Sequence, residues 1–149
     1  ETLMLAGQAY QANGKLARAE QLQHRAAGLA ATNAGYHLHS GVTSMQLGHF
    51  TLAQKALSKV ISLAPNSSRG YSGLAHLYLQ ANRKLPEARQ LAQKAVTLEP
   101  MAFNYFVLSW ACDKNGDQAG ARAAIKRAIE LDPNNPRFRQ VAERMENKN

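Results

Sequence analysis

An alanine that recurs at nearly constant spacing is the feature that most constrains the fold of this chain. Ala19, Ala53, Ala88 and Ala121 are separated by steps of 34, 35 and 33 residues, and a related pattern surrounds each of them. A period of this length is typical of proteins that stack one helical unit several times. The sequence therefore predicts four copies of one stacked unit.

The last copy shows most clearly that the unit consists of two helices. Tyr105, Leu108 and Cys112 share one face of a first helix, which ends at the turn around Gly116. A second helix follows, with one continuous apolar face formed by Ala121, Ala124, Ile125, Ala128 and Ile129. Pro133 then ends this helix, because proline disfavours helical geometry in the residue before it. Each copy is thus a helix, a turn and a second helix.

Across the whole chain, the pattern predicts an all-α fold of nine helices. The four pairs are expected at 2–12 and 17–30, 35–46 and 51–63, 69–81 and 86–98, and 102–114 and 118–131. A ninth helix is expected at 136–147, with one apolar face formed by Phe138, Val141, Ala142 and Met145. The rest of this helix is polar, which is the character that a stacked array needs at its end. We therefore expect it to cap the fourth pair.

This pattern resembles the tetratricopeptide repeat, whose motif has a large residue, Leu-Gly, Tyr, small residues and a closing Pro. The best matches are Tyr71, Leu74-Ala75, Tyr78, Ala88 and Pro100 in the third copy, and Tyr105, Leu108-Ser109, Cys112, Ala121 and Pro133 in the fourth. The resemblance implies a right-handed superhelical solenoid of four repeats, at about 1–33, 34–67, 68–101 and 102–134, plus the capping helix. We expect residues 1–149 to form this single domain. Since the chain starts at Glu1, we also expect it to be a fragment of a longer protein.

Small residues occur where the two helices of each pair must meet. Gly7, Gly41, Ala75 and Ser109 lie on the first helices, opposite the recurring alanines. Two helices can approach to roughly 8–10 Å only where the side chains between them are short. We therefore expect a close seam inside every pair.

In proteins that resemble this one, partners bind in a concave groove lined by the first helices. The matching positions here are Met4, Gln8, Gln11, Leu38, Val42, Met45, Arg69, Ser72, His76, Leu79, Phe106, Trp110 and Asp113, with His39 at the rim. Most of these side chains are apolar and a few are polar, as expected for a surface that binds an amphipathic helix or an extended apolar peptide. The resemblance thus implies a non-catalytic scaffold for protein–protein interaction.

The aromatic residues of the fourth first helix leave two interpretations open. Phe103, Phe106 and Trp110 occur at i, i+3 and i+7. Trp110 is expected to lie in the groove, where a buried aromatic side chain would anchor a ligand. Phe103 and Phe106 either line the groove with it or pack on the capping helix through Phe138.

One subfamily binds the C-terminal carboxylate of heat-shock chaperones through Lys, Asn and Arg side chains. The matching positions here are Met4, Gln8, His39, Arg69 and Gly73, and of these Arg69 alone keeps a suitable charge. We therefore do not predict that partner.

The charge distribution and the open first repeat raise two further hypotheses. The chain has 18 Lys and Arg against 10 Asp and Glu, with a single acid, Glu20, among residues 2–86. The resemblance places most of these bases on the outer wall, where they favour solubility or the binding of an anionic partner. Aromatic residues do not alternate with them as single-strand binding requires, so no specific nucleic acid is expected. The second hypothesis is self-association into a homo-oligomer, in which the first repeat stacks on another copy.

Catalytic, metal and membrane roles find no support in the sequence. It contains no phosphate-binding loop, no nucleophile elbow and no pair of acids placed across a cleft. His37 is expected to pack, while His39 and His76 have no nearby Cys or acid to complete a metal site. The single cysteine, Cys112, precludes an internal disulfide, and no apolar run of about 18 residues predicts a membrane-spanning helix. We expect no enzyme activity, no cofactor and no metal.

Overall fold

The computed structural model describes residues 1–147, and these residues form nine α-helices and no strand, which confirms the all-α prediction. The helices are α1 Thr2–Ala12, α2 Leu16–Leu29, α3 Ala34–Gln46, α4 Phe50–Leu63, α5 Ser68–Gln80, α6 Leu85–Leu98, α7 Ala102–Lys114, α8 Gln118–Leu131 and α9 Pro136–Glu146. Each helix begins and ends within one residue of its expected bounds. Lys148 and Asn149, which end the predicted domain, lie outside the described residues.

The helices pair in chain order, and the pairs stack. The two helices of each pair pack together, and each second helix packs against the first helix of the next pair. The first helices α1, α3, α5 and α7 also contact one another in series, so they form one layer and the second helices form the other. α9 packs on α8 at the C-terminal end of the stack. This arrangement is an all-α repeat solenoid.

The turns inside the pairs require backbone in the left-handed region. Gly14, Gly48 and Gly116 have φ angles of 72°, 75° and 80°, which glycine adopts with little strain. The third pair lacks this glycine, and its longer loop uses Asn82 at φ 51° and Lys84 at φ 48° instead. The third turn is therefore the most strained of the four, because lysine rarely adopts this conformation.

The expected seam of small residues is present in the pairs. The recurring alanines are completely buried: Ala19, Ala53, Ala88 and Ala121. A Cβ added to Gly7 would lie 2.6 Å from Cγ of Gln23, and one added to Gly41 would lie 2.9 Å from Cγ of Leu57. In the fourth pair the hydroxyl of Ser109 donates a 2.9 Å hydrogen bond to the carbonyl of Ala121. Short side chains therefore let the paired helices approach closely.

The apolar core is concentrated in the third and fourth pairs, where Tyr78 is the largest fully buried side chain. Between the first and second pairs, the buried residues include Gln23, Ser40, Thr43 and Ser44. One side-chain oxygen each of Gln23, Ser40 and Thr43 has no hydrogen-bond partner among the described residues. An unsatisfied buried polar group costs about 1–3 kcal/mol. These groups therefore reduce the stability that the first junction gains from burial.

Glu20 of α2 links the first pair to the second. Its carboxylate accepts a 2.6 Å hydrogen bond from Oγ of Ser44 and lies 2.9 Å from Nδ1 of His49, while Nε2 of His24 lies 4.0 Å away. Burial alone would raise the pKa of Glu20. The hydrogen bonds from Ser44 and His49 and the charges of His49 and His24 outweigh burial, so the pKa is lowered from its usual 4.5. The ionised carboxylate therefore favours docking of the first pair.

We expect Glu20→Gln to lower the stability of the first pair by about 1 kcal/mol near neutral pH, because hydrogen bonds to a charged acceptor are lost. The folded-state pKa is lowered, so the contribution of the ionised group is present above pH 4.5 and is lost as the pH falls through the folded-state value. Hydrogen exchange of the α1 and α2 amides in both proteins measures the difference. A difference that stays constant on acidification below pH 4.5 would contradict this role of Glu20.

Candidate functional site

A concave groove runs along the inner layer of the stack. Its walls come from α3, α5 and the start of α7, and α9 contributes Arg137. It has a volume of about 710 Å³, within the usual range of ligand sites. We define the groove by the residues that line it, which are Leu38, His39, Val42, Met45, Gln46, Ser68, Arg69, Ser72, Gly73, His76, Gln80, Met101, Phe103, Asn104 and Arg137.

The structure brings together in the groove the predicted site residues of the second and third repeats, apart from Leu79. They are Leu38, Val42, Met45, Arg69, Ser72 and His76. On α3 and on α5 they are three or four residues apart, so they share one face of each helix. His39, expected at the rim, lines the groove as well. The repeat register therefore locates the middle of the groove.

Three apolar residues that we expected in the groove are buried and do not line it, which corrects the predicted surface. Met4, Leu79 and Phe106 are 3%, 1% and 4% exposed. Phe106 is covered because Phe138 of α9 stacks on its ring, with the centroids 5.4 Å apart. Leu79 belongs to the apolar core. Met4 lies on α1 one turn before a residue that contacts α3, so it lies on the packed face of α1.

Gln8 and Gln11, also predicted site residues, make hydrogen bonds between α1 and α3. Nε2 of Gln8 lies 3.0 Å from Nε2 of His39, and Gln11 donates a 2.8 Å hydrogen bond to Oε1 of Gln46. Oε1 of Gln11 accepts a 3.1 Å hydrogen bond from Gln23. These amides connect the first two repeats at the N-terminal end of the groove.

Aromatic rings form the opposite end of the groove. Phe103 is 41% exposed, lines the groove and lies edge-on to His76 at a centroid distance of 6.0 Å. Trp110 approaches the same imidazole at 5.6 Å. Each of the two interpretations therefore holds for one phenylalanine. Phe103 faces the groove, whereas Phe106 packs on the capping helix α9.

Trp110 and Asp113 line a smaller recess beside the groove. The recess has a volume of about 300 Å³ and lies between α7 and α9, where Arg137, Val141 and Arg144 also contribute. Oδ1 of Asp113 accepts a 3.1 Å hydrogen bond from Gln118. The two residues thus belong to a compartment that is formed only when α9 is docked.

Arg137 is the candidate site residue that the repeat pattern missed. It lies in the first turn of α9 and lines both the groove and the recess. Its guanidinium carbon lies 4.6 Å from the centroid of the Phe106 ring. The repeat register cannot place this side chain, because α9 lies outside the four copies.

The groove is cationic. Arg69 and Arg137 line it, and none of the described residues that line it is an aspartate or a glutamate. Burial and the charge of Arg69 lower the pKa of His39 from 6.5, and burial and the charge of Arg137 lower the pKa of His76. Both imidazoles are therefore neutral at pH 7. The positive charge of the groove resides on the two arginines.

Sequence comparison identifies the repeated unit. Two sequence models described as tetratricopeptide repeat match residues 41–102 and 102–135. The chain belongs to the tetratricopeptide repeat family. The repeats make it a protein-interaction scaffold in general terms. Comparison with curated proteins gives no match.

Solved structures share the solenoid of this tetratricopeptide repeat protein. A thermophilic family member from Thermus thermophilus superposes with a TM-score of 0.84 at 20% identity, over 97% of this chain and 79% of that chain. MamA from residue 41 to its end, from Desulfovibrio magneticus RS-1, gives a TM-score of 0.83 at 20% identity, over 99% and 83% of the two chains. At these identities the likeness shows the fold.

Other chemistry is sparse in the part of the repeat protein that the structure describes. Residues 1–147 contain no group of three or more His, Cys, Asp or Glu arranged to hold a metal ion, and none of their helices is long and apolar enough to cross a membrane. Cys112 is buried, and burial raises the pKa of its thiol. Proteins of this family are typically non-catalytic scaffolds.

Proposed function

We propose that the groove binds a peptide segment of another protein, and that this segment combines apolar side chains with acidic ones. The observation that carries the proposal is the composition of the groove. Apolar side chains share it with Arg69 and Arg137, which come from separate helices, and the described lining contains no carboxylate. An amphipathic helix with acidic residues beside its apolar stripe has the complementary chemistry.

The apolar part of the groove would provide most of the binding free energy. Met101 and Phe103 are 48% and 41% exposed, so the fold leaves apolar surface there for a partner to cover. Leu38, Val42 and Met45 extend this surface along α3. Burial of apolar area contributes about 25 cal/mol per Å². The flexible methionines allow the surface to adapt to different partner side chains.

The arginines would set the preference for acidic segments. A carboxylate near Arg69 or Arg137 is attracted by the positive charge of the guanidinium group. A basic segment would bring like charges together in a groove that offers no compensating acid among its described residues. Charge complementarity therefore excludes basic partner segments more strongly than it selects any single acidic sequence.

Two model helical peptides with the same leucine stripe test this proposal, one with glutamate and one with lysine on its remaining positions. We expect the glutamate peptide to bind, and the double variant Arg69→Glu/Arg137→Glu to weaken binding at least about tenfold, because two attractive charges become repulsive. Trp110 is the single tryptophan and lies 5.6 Å from His76 of the groove, so its fluorescence reports binding.

The control is Lys94→Glu/Lys126→Glu, which changes the net charge by the same amount at exposed positions of α6 and α8. This variant should bind the glutamate peptide nearly as well as the unchanged protein. Equal weakening in both double variants would show a non-specific charge effect and contradict the proposed groove. Equal affinity for the glutamate peptide and the lysine peptide would also contradict the proposed groove.

Self-association remains a second candidate, favoured by exposed apolar residues in the first repeat. Leu5 and Leu29 are 61% and 76% exposed, and Tyr10 is 37% exposed. Such a surface could stack on another copy of the chain. Light scattering over the concentrations of the peptide assay separates the two candidates, since stacking alone raises the mass with concentration.

A further inference from the structure

His76 places an imidazole with open hydrogen-bonding capacity in the wall of the groove. It lies on α5, and its side chain is partly buried. None of the hydrogen bonds among the described residues involves its ring nitrogens. Neither nitrogen belongs to the fully buried polar atoms that lack a partner, so both remain accessible. The ring can therefore form a hydrogen bond with a group that a partner brings into the groove.

Two aromatic rings of α7 restrict the orientation of this imidazole. The ring of Phe103 meets it edge-on with the centroids 6.0 Å apart, and the ring of Trp110 meets it in the same way at 5.6 Å. A side chain that is already held by its neighbours loses little conformational entropy when it binds a ligand. The imidazole of His76 is thus preorganised at the aromatic end of the groove.

The charged groups around His76 favour its neutral form when the groove is empty. His39 of α3, Arg69 of α5 and Arg137 of α9 line the groove with it, whereas none of the described residues of α4 or α6 does. The acid of α7, Asp113, lines the adjacent recess instead. Burial and the charge of Arg137 lower the pKa of His76 from 6.5. The groove therefore disfavours a third positive charge until an anion enters it.

An acidic side chain of a bound peptide reverses this preference. A carboxylate near Arg137 offsets the positive charge of the guanidinium group and attracts a positive charge on the neighbouring imidazole. A hydrogen bond from an imidazolium to a carboxylate is also stronger than one between neutral groups. Binding of a carboxylate and binding of a proton at His76 therefore favour each other.

The second imidazole of the groove, His39, is placed differently. Its Nε2 lies 3.0 Å from Nε2 of Gln8. The amide nitrogen of a glutamine can only donate, so Nε2 of His39 is the acceptor. A proton on this nitrogen would break the hydrogen bond. Proton uptake is therefore more favourable at His76, whose nitrogens have no such bond.

We propose that His76 selects an acidic residue at the aromatic end of the groove and takes up a proton from solvent when the peptide binds. The imidazolium donates a hydrogen bond to the peptide carboxylate, which also contacts Arg137. The apolar residues of the peptide then lie toward α3, where Leu38 and Val42 line the groove. His76 thus sets the orientation of the peptide. This inference rests on the proposed function of the groove.

Calorimetric titration with the glutamate peptide, in two buffers of different ionisation enthalpy, measures the proton uptake. At about pH 6 the complex should take up a substantial part of about one proton, and affinity should rise at least about threefold from about pH 7.5 to about pH 5.5. The pKa of His76 is raised on binding, so this gain is lost as the pH rises through the bound-state value. Glutamates have a pKa of about 4.3, and pairing with arginine lowers it, so the peptide itself takes up no proton.

The outcome separates this inference from the function on which it rests. Binding of the glutamate peptide without proton uptake would overturn the role of His76 and leave the proposed groove intact. Absence of binding at every pH would contradict both. Affinity that falls on acidification would also overturn the role of His76, because the sign of the linkage would be wrong.

The variant His76→Gln keeps a polar side chain but removes the titratable group. Its proton uptake should fall by more than about half, and its affinity should vary less with pH. The matched control is His37→Gln, because His37 does not line the groove and its Nε2 lies 3.0 Å from the carbonyl of Ala31. Proton uptake that is lost in both variants, or in neither, would overturn the inference.

A second measurement needs no peptide. The imidazole resonances of His76, followed by NMR during a pH titration of the free protein, report its pKa. Arg137→Gln should raise this pKa relative to the unchanged protein, because one of the two causes that lower it is removed. An identical pKa in the two proteins would show that Arg137 does not act on His76 and would contradict the proposed coupling.

Discussion

Replacing Leu57 with alanine is expected to lower the free energy of unfolding by about 3 kcal/mol. Leu57 is completely buried, and a Cβ added to Gly41 or to Gly73 would lie 2.9 Å from one of its side-chain carbons. Leu57 of α4 therefore packs against α3 and α5 together and joins the second repeat to the third. Alanine would leave a cavity that the two glycines have no side chains to fill.

Urea unfolding followed by far-ultraviolet circular dichroism measures this loss. Leu52→Ala is the control on the same helix, because Leu52 is 42% exposed. The control should change stability by less than about 0.5 kcal/mol. Similar losses in the two variants would mean that the packing between α4 and the glycines contributes little.

Replacing Phe138 with alanine is expected to cost about 3–5 kcal/mol and to release α9 from the stack. Phe138 is 4% exposed and stacks on Phe106 with centroids 5.4 Å apart. The other buried side chain of α9, Met145, has its sulfur 4.0 Å from Oγ of Ser109. Each unit of a solenoid contacts only its neighbours, so loss of the cap should destabilise the fourth repeat first. Trp110 fluorescence reports this region separately from circular dichroism.

The matched control for this variant is Phe103→Ala, which removes the same ring from a position that is 41% exposed. Its cost in stability should be below about 1 kcal/mol. If Phe138→Ala and Phe103→Ala lose the same free energy of unfolding, α9 does not act as a cap. Arg137 precedes Phe138 and lines the groove, so Phe138→Ala should also weaken binding of the glutamate peptide.

The helices were predictable because their signals are local. The apolar spacing repeats four times, and the turn glycine and the closing proline three times each, so agreement between copies corrects ambiguity in any one of them. The third turn shows the limit of this argument. Its position was predictable from the expected bounds of the third pair, but the left-handed conformation of Asn82 and Lys84 appears only in the structure.

The candidate site was predictable where it follows the repeat. Leu38, Val42 and His76 line the groove because the register places them on the inner faces of α3 and α5. Phe106 occupies an equivalent repeat position on α7, but α9 covers it. Arg137 of α9 also lines the groove. Helix phase specifies the direction of a side chain, whereas accessibility depends on which neighbour covers it.

The amino-acid sequence by itself determined the number of repeats, the bounds of the helices and the small residues at their seams, because these depend on spacing along the chain. Only the tertiary structure decided that Arg137 of α9 completes the cationic groove and that Phe138 of α9 covers Phe106. Both features arise from side chains that are distant in the sequence, and their contacts depend on how completely the stacked helices fill the space between them.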